Sequence, residues 1–345
     1  MNLMPLQHYT VRIQSGEHLS FDEMVKAAQI LFNEETPLEQ IEAFLIALSR
    51  KGETTFEIAG LASVMRSYAI PIDAPQGLYI DNCGTGGDGL QSFNISTTSA
   101  FVLAGAGLKV AKHGNRKVSS LAGSSDVLEA LGIGLLSSPS QTAELLDKHS
   151  LAFLHAPNLH PKLGRIGIAR RNIGKPTIFN LVGPLTNPVP LQTQFVGISR
   201  PQLTTDYAQV LNMLGRKRAV VVSGTQGMDE ASLAGENTFV LLDHGDILPF
   251  KLRAEDVGLQ AQPLEAIRGG DAFENAEILR SVLEGVPSAY TDTVLLNAGI
   301  ALFAYGKAES IKEGITLAQQ GIESGNAIAK LQALIQYSKE AEKTT

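Results

Sequence analysis

The stretch LYIDNCGTGGDG, residues 78–89, combines the two features that decide the fold, a short apolar run and a glycine-rich turn directly after it. Leu78 to Ile80 is typical of a buried strand, because it is apolar and bounded by turn residues. A helical pattern follows from Ser96 to Ala106, and a second strand candidate follows at Leu108 to Ala111. The succession of strand, loop, helix and strand predicts an α/β domain.

The alternation of strands and helices continues and predicts that this domain runs from residue 71 to residue 345. A helix is expected near Asp126 to Leu131, and the tail from Tyr290 onward again has helical spacing of its apolar residues. This pattern favours a mostly parallel central sheet flanked by helices. Further strand candidates are residues 152–154, 194–198, 219–222 and 238–242.

Residues 1–70 show helical spacing and no strand pattern, which predicts a small all-helical N-terminal domain. Thr36 is the expected N-cap of a helix that begins at Pro37. A basic helical stretch from His160 to Ile173 interrupts the α/β pattern, so we expect residues 160–180 to join the N-terminal helices in space. The expected N-terminal helices are Asp22–Phe32, Pro37–Ser49 and Thr55–Tyr68.

Composition and charge narrow the class of protein. The chain has 345 residues, 44% of them hydrophobic, and a formal net charge of −7, so a broadly basic nucleic-acid-binding surface is not expected. The one cysteine, Cys83, cannot form an intramolecular disulfide, which is typical of a reducing compartment. We find no signal peptide and no apolar run of the roughly 18 residues that a membrane span needs, and we therefore expect a cytoplasmic protein without membrane contact.

The turn from Gly84 to Gly89 has four glycines in six positions, so its backbone N–H groups can approach and bind an anion. The run matches G-x-G-x-x-G, but two features disfavour a dinucleotide site. Leu90 to Asn94 intervene before a helix can start, and Lys112 and His113 stand after the second strand where an acid would bind ribose hydroxyls. A glycine-rich turn without a ligand stays open as an alternative.

Three further segments favour phosphate binding at the same sheet edge. Asn94 to Ser99 begins a helix, with Asn94 or Ser96 as the expected cap, and free N–H groups there favour a phosphate. The basic turn from Lys112 to Ser120 follows the second strand, and Gly123 to Asp126 opens another helix. Taken singly, the segment from Asn94 is better explained as a plain helix cap, and the basic turn has a solvated turn as its alternative. Because ligands of open α/β sheets bind beyond the carboxyl ends of the strands, the loops together predict a diphosphate site.

An acidic pair, Asp229 and Glu230, follows the strand at residues 219–222. Mg²⁺ binds a few carboxylates and keeps waters and phosphate oxygens as its other ligands. A polyphosphate nearby would need such a counter-ion, so the pair predicts a magnesium site. An exposed acidic loop is the alternative if no polyphosphate binds.

These motifs, in their order and spacing, resemble the anthranilate phosphoribosyltransferase family over nearly the whole chain. No single motif is specific, but the combination is. The matching runs are Gly84–Asp88, Asn94–Thr97, Lys112–Arg116, Ser119–Ser120, Gly123–Gly132, Phe179–Pro188 and Asp229–Glu230.

The resemblance implies a transfer of the 5-phosphoribosyl group from phosphoribosyl pyrophosphate to the amine of anthranilate, and a homodimer formed through the helical domain. It implies two Mg²⁺ per subunit with substrate bound, at Ser96, Asp229 and Glu230. It places anthranilate at Gly84, His113, Asn115 and Arg170. It places phosphoribosyl pyrophosphate at Gly84, Gly87, Asp88, Ser92, Asn94, Ile95, Ser96, Thr97, Lys112, His113, Gly114, Asn115, Arg116, Lys117, Val118, Ser119, Ser120 and Ser124.

Three departures from the family pattern fall on the acceptor side more than on the phosphate side. Ser125 stands where the family often has Ala, residues 162–164 differ, and Asn172 replaces a usual Glu. Two alternatives remain, a pyrimidine nucleoside phosphorylase, which carries an additional C-terminal domain, and a nucleic-acid-binding relative of the same fold. No side chain has the pattern of a nucleophile or an acid–base catalyst, so the chemistry is expected to rest on positioning and electrostatics.

Overall fold

The computed structural model describes residues 5–116, 121–135 and 138–343. The chain begins with four helices, and the three helices expected between residues 22 and 68 are confirmed to within two residues at each end. The N-cap prediction at Thr36 is wrong, because Pro37 takes the cap position and the Thr36 hydroxyl instead donates to the Ile30 carbonyl at 2.5 Å. The four helices are α1 (Leu6–Gln14), α2 (Phe21–Leu31), α3 (Leu38–Lys51) and α4 (Thr55–Tyr68).

A seven-stranded sheet forms the centre of the rest of the chain, in the order β3-β2-β1-β4-β5-β6-β7. The first five strands in that order are parallel, and β6 and β7 are antiparallel additions at one edge. The predicted mostly parallel sheet is therefore confirmed. The strands are β1 (Tyr79–Asp81), β2 (Lys109–Gly114), β3 (Leu151–His155), β4 (Thr193–Gly197), β5 (Arg218–Ser223), β6 (Asn237–Asp243) and β7 (Asp246–Leu252).

Eleven α-helices connect or cover these strands among the described residues. Two of them, α5 and α13, are buried along most of their length and pack against the sheet. The burial expected for the apolar positions of the tail is confirmed on α13. The helices are α5 (Ile95–Gly105), α6 (Ser124–Ala130), α7 (Pro139–His149), α8 (Ala156–Leu159), α9 (Leu163–Ile173), α10 (Phe179–Val182), α11 (Thr204–Met213), α12 (Ala272–Leu283), α13 (Ala289–Tyr305), α14 (Ile311–Glu323) and α15 (Asn326–Glu342).

Side chains of the central strands alternate between two hydrophobic cores, because successive residues of a strand point to opposite faces. On β5, Val220 and Val222 join the core that contains α5 and α13. Ala219 and Val221 join the core that contains the N-terminal helices and α11. Ile166 of α9 is buried in this second core, which is therefore continuous from the N-terminal helices to one face of the sheet. Among the described residues, no helix is long and apolar enough to cross a membrane.

The strand order creates a crevice between β1 and β4. From β1 the chain runs outward to β2 and β3, and it then returns to form β4 and β5 on the other side of β1. The connections that follow β1 and β4 therefore lead to strands on opposite sides of this pair, and such a switch point is where ligands bind in open α/β sheets.

Candidate active site

A buried carboxylate, Asp81, lies at the carboxyl end of β1 and joins the segments that border the crevice. Its Oδ1 accepts hydrogen bonds from the backbone N–H groups of Cys83, at 3.1 Å, and His113, at 3.2 Å. Its Oδ2 accepts one from the Asn187 amide at 2.9 Å. Burial raises the pKa of Asp81, and the nearby Lys112 ammonium and the Asn187 amide oppose that rise. Asp81 was missed at the sequence level, because it ends a strand and has no local motif.

The sequence predicted a turn that begins at Lys112 and His113. This prediction is wrong, because β2 extends through Gly114. Both side chains are consequently buried, with 2% and 4% exposure. The Lys112 ammonium donates to the His113 carbonyl at 3.3 Å and lies near both Asp81 and Glu230. The sheet edge thus carries a buried cation at the place where the basic turn was expected.

The glycine loop and the acidic pair meet in the crevice. The Gly86 N–H donates to the Asp229 carboxylate at 2.6 Å. A side chain at Gly84 would begin 2.3 Å from that carboxylate, and one at Gly197 would begin 1.5 Å from the Asp229 carbonyl oxygen. Only glycine at these two positions lets the loops after β1, β4 and β5 approach so closely. Gly87 has φ of +84°, in the left-handed region that glycine favours.

Three carboxylates face one another beside this loop. Burial and the neighbouring Asp88 raise the pKa of Asp229 to about 7. Burial and Asp229 raise the pKa of Glu230, while Lys112 and the Ser96 hydroxyl oppose that rise. A divalent cation would relieve this repulsion, and hard oxygen donors are the ligands that Mg²⁺ takes. Among the described residues no group of three His, Cys, Asp or Glu side chains can hold a metal by itself, so the remaining ligands would be waters or substrate oxygens.

Two buried amides fix the backbone that carries the acidic pair. Asn297 on α13 accepts from the Ala231 N–H and donates to the Ala231 carbonyl, both at 2.9 Å. Asn237 accepts from the Ser232 N–H at 2.7 Å. The position of Glu230 is therefore set by contacts with a helix about 65 residues further along the chain, and rigid support of this kind favours a functional site.

The first turn of α5 begins at the same edge, and the predicted N-cap is confirmed in position but not in its side-chain contact. Asn94 takes the N-cap position, yet neither Asn94 nor Ser96 caps the helix with its side chain. The Asn94 amide instead donates to the Ala122 carbonyl, and its oxygen accepts from Asn275. Ile95 and Thr97 are buried in the turn. The Ile95 N–H donates to the Phe93 carbonyl at 2.8 Å, so the N–H groups of Ser96 and Thr97 are the ones in this turn that suit an anion.

The segment after β2 packs against the start of α6. The Ser124 hydroxyl donates to the Asn115 carbonyl at 3.1 Å, and a side chain at Gly114 would begin 2.4 Å from that hydroxyl. The Arg116 guanidinium binds Glu129 through two contacts of 2.7 and 2.8 Å. The predicted site residues Lys117, Val118, Ser119 and Ser120 lie outside the described residues.

Ser92, through its backbone, and Asp88, through its carboxylate, hold the ends of the glycine loop in this structure. Ser92 forms an antiparallel bridge with Arg268, which links the glycine loop to the segment before α12. Asp88 accepts from the N–H groups of Leu90, at 3.1 Å, and Asp229, at 3.4 Å. These contacts connect the glycine loop to the segment before α12 and to the segment that carries Asp229.

A second group of side chains, on the acceptor side, surrounds His113. Its Nδ1 lies 3.2 Å from the Gly183 carbonyl, and its ring packs edge-on against His160 at 5.4 Å between centroids. Burial lowers the pKa of His113 to about 4 and that of His160 to about 3. Arg170 is half-buried, and its guanidinium makes a 3.5 Å hydrogen bond to Asn180 and a cation–π contact with Phe179. Sequence reasoning missed His160, for which helical spacing alone gave no signal.

The departures from the family pattern each have a contact in the structure. The Ser125 hydroxyl lies 2.8 Å from His155 Nδ1. The Lys162 ammonium lies 3.8 Å above the Tyr68 ring. Asn172 donates to Glu42 on α3 at 2.7 Å, so a neutral amide there avoids the like-charge pair that a Glu would form.

Family models match both parts of the chain. The model described as "Glycosyl transferase family, helical bundle domain" matches residues 7–69, and the one described as "Glycosyl transferase family, a/b domain" matches residues 76–328. The anthranilate phosphoribosyltransferase of Exiguobacterium sibiricum is 58% identical, over 94% of this chain and 95% of the relative. That of Listeria innocua is 54% identical, over 95% of this chain and 97% of the relative.

Solved structures agree with these relatives. The anthranilate phosphoribosyltransferase of Thermus thermophilus is similar at a TM-score of 0.90 and 38% identity, covering 96% of this chain and 99% of the other. The enzyme of Saccharomyces cerevisiae, in complex with phosphoribosyl pyrophosphate and Mg, is similar at a TM-score of 0.89 and 28% identity, covering 97% and 98%. The same yeast enzyme is also known in complex with 4-fluoroanthranilate.

The lowered pKa of His160 predicts a loss of stability in acid. The unfolded imidazole takes up a proton near its ordinary pKa of 6.5, whereas the folded one resists protonation until about pH 3. The free energy of unfolding should therefore fall as the pH drops below 6.5, by up to about 1.4 kcal/mol per pH unit for this group.

His160→Gln should flatten this decline in urea unfolding measured between pH 7.5 and pH 4.5. His8→Gln, which removes an exposed histidine, is the control variant. An equally steep decline in His160→Gln and wild type would show that the buried imidazole is not its source.

Proposed function

The chain belongs to the anthranilate phosphoribosyltransferases of the glycosyl transferase family, and we propose that its active site is the crevice beyond β1, β2, β4 and β5. The enzyme transfers the 5-phosphoribosyl group from phosphoribosyl pyrophosphate to the amine of anthranilate and releases pyrophosphate, the second step of tryptophan synthesis from chorismate. The relatives do not favour a nucleoside phosphorylase or a nucleic-acid-binding protein. The observation that carries the proposal is the contact between the Gly86 N–H and the Asp229 carboxylate, which unites the glycine loop and the acidic pair.

Phosphoribosyl pyrophosphate is proposed to lie along the glycine loop, the first turn of α5 and the segment from Lys112 to Ser124. Free backbone N–H groups and the helix dipole of α5 favour its phosphates. The buried Lys112 ammonium would stabilise the negative charge that develops on the departing pyrophosphate. Arg116 would join it only by leaving Glu129.

Magnesium is proposed to be bound by Asp229 and Glu230 with Ser96 beside them, and two ions per subunit would be bound when substrate is present. The pKa values of both acids are raised, because burial and their mutual repulsion disfavour the charged forms. A bound cation would offset this repulsion, so the raised pKa values support a cation site. A bound ion would supply electrostatic stabilisation of the pyrophosphate.

Anthranilate is proposed to bind at Arg170, with Gly84, His113 and Asn115 around it. Arg170 has no carboxylate partner among the described residues, and its guanidinium can pair with the substrate carboxylate in a bidentate fork. His113 stays neutral near pH 7 because its pKa is lowered to about 4, so it would not repel or protonate the attacking amine. Burial raises the pKa of Cys83, which keeps its thiol neutral and unsuited as a nucleophile. The reaction would thus depend on positioning.

We further propose a cytoplasmic homodimer formed through the helical domain. Val11 on α1 and Ile168 on α9 are large apolar side chains exposed by 56% and 42%, and an interface would cover them.

The helical domain is proposed as residues 1–70 joined by about 160–180, and the α/β domain as residues 71–345. Contacts from Arg165 to the carbonyls of Asn33 and Thr36 support the joining of α9 to the N-terminal helices.

The activity is tested by following anthranilate fluorescence with purified protein, Mg²⁺ and phosphoribosyl pyrophosphate. A decay that requires all three components is expected. No decay under conditions in which phosphoribosyl pyrophosphate still binds would contradict anthranilate as the acceptor.

Arg170→Ala should raise the KM for anthranilate by about tenfold or more, because a charge-assisted bidentate contact is lost. The KM for phosphoribosyl pyrophosphate should change little. The matched control is Arg171→Ala, which removes an exposed neighbour on the same helix. Equal losses for both substrates in Arg170→Ala would count against the assignment.

Asp229→Asn combined with Glu230→Gln should raise the Mg²⁺ concentration that gives half-maximal activity by about tenfold or more, since both charged ligands are removed. Glu236→Gln changes an exposed acid of the same loop that pairs with Lys251, and it should leave the titration unchanged. An unchanged titration in the double variant would remove the pair as ligands.

A further inference from the structure

A relay of three hydrogen bonds links α12 to the starts of α5 and α6. The Gly270 N–H donates to Asn275 Oδ1 at 2.8 Å. The Asn275 amide donates to Asn94 Oδ1 at 2.9 Å, and the Asn94 amide donates to the Ala122 carbonyl at 3.2 Å. Segments 181 residues apart in the chain are joined by the central bond of this relay.

The direction of the relay is fixed at both ends by backbone groups. The Gly270 N–H can only donate, so Asn275 must turn its oxygen toward Gly270 and its NH₂ toward Asn94. The Ala122 carbonyl can only accept, so Asn94 must turn its NH₂ toward Ala122. Asn275 is 2% exposed, so water has little access to replace a lost partner.

The backbone before α12 is pressed against the backbone before α5. The Gly269 N–H donates to the Gln91 carbonyl at 2.9 Å, and the Phe93 N–H donates to the Ile267 carbonyl at 3.2 Å. A side chain at Gly269 would begin 2.8 Å from the Phe93 backbone. The start of α5 therefore lies directly on the segment that carries Asn275.

We propose that Asn275 is a positioning residue for phosphoribosyl pyrophosphate. The relay occupies the oxygen and one amide hydrogen of Asn94, so this side chain holds backbone in place between the two helix starts. Ser96 lies two residues after Asn94, and Ser124 lies two residues after Ala122. Asn275 thus sets the distance between the two helix starts that would bind the substrate. This inference rests on the proposed phosphoribosyl pyrophosphate site.

The sharpest test is Asn275→Asp, which changes almost no volume. The introduced carboxylate can still accept from the Gly270 N–H, but it has no N–H for Asn94 Oδ1. Reversing the Asn94 amide would satisfy the carboxylate and turn an oxygen toward the Ala122 carbonyl, so one contact fails in either arrangement. The dissociation constant and KM for phosphoribosyl pyrophosphate with Mg²⁺ should rise by about tenfold. The KM for anthranilate should change much less.

Asp271→Ala separates this role from a general loosening of α12. Asp271 caps the helix by accepting from the N–H groups of Phe273 and Glu274, and it does not contact Asn94. This variant should lower the melting temperature and leave the KM for phosphoribosyl pyrophosphate unchanged. If Asn275→Asp raises the KM for phosphoribosyl pyrophosphate no more than Asp271→Ala does, at a comparable melting temperature, then Asn275 has a structural role only. That result would overturn the inference.

Asn94→Ala distinguishes a failure of this inference from a failure of the proposed site. Asn94→Ala should weaken phosphoribosyl pyrophosphate binding, and adding Asn275→Asp should weaken it no further, because both changes break the same relay. Weakening by Asn94→Ala without weakening by Asn275→Asp would overturn the inference and leave the site standing. No weakening by either variant would overturn the inference alone, whereas failure of the wild-type protein to bind phosphoribosyl pyrophosphate with Mg²⁺ would overturn the proposed site.

Discussion

The arrangement of the crevice depends on one buried carboxylate, that of Asp81. A carboxylate without exposure to water is costly unless hydrogen-bond donors and positive charge surround it. The donors here come from the loop after β1, from β2 and from Asn187, and Lys112 supplies the positive charge. The Asp81 carboxylate has all of these hydrogen bonds and the nearby positive charge only when the segments lie in their observed positions. In those positions the segments border the proposed substrate site.

Close approach of backbones then completes the site on the other side of β1. Gly84 and Gly197 let the Asp229 segment enter between the loops after β1 and β4, where any side chain would collide with it. This arrangement brings Asp88, Asp229 and Glu230 so close that their negative charges repel one another. Burial and this repulsion raise the pKa of Asp229 to about 7, so keeping it ionised costs free energy. A cation and a polyphosphate would offset that cost together, which supports the proposal that this site binds both.

Local patterns in the sequence predicted the elements better than the contacts between them. The strands and helices near residues 55–110 followed from apolar spacing, and Asp229 and Glu230 were found because a strand precedes them. The edge strand β7 was missed, since Pro249 interrupts its alternation and the turn at His244–Gly245 has an uncommon residue at a position with φ of +50°. Asp81 and Asn275 could not be recognised, because each acts through partners far along the chain that no local pattern shows.

The most direct measurement is the affinity of Asp81→Asn for phosphoribosyl pyrophosphate with Mg²⁺, by calorimetric titration beside a circular dichroism check of folding. This change keeps an oxygen for the N–H groups of Cys83 and His113 but turns an NH₂ against the Asn187 amide and removes the charge beside Lys112. The account predicts a folded protein whose dissociation constant is raised by about tenfold or more. Wild-type affinity in the folded variant would contradict the claim that this carboxylate positions the site.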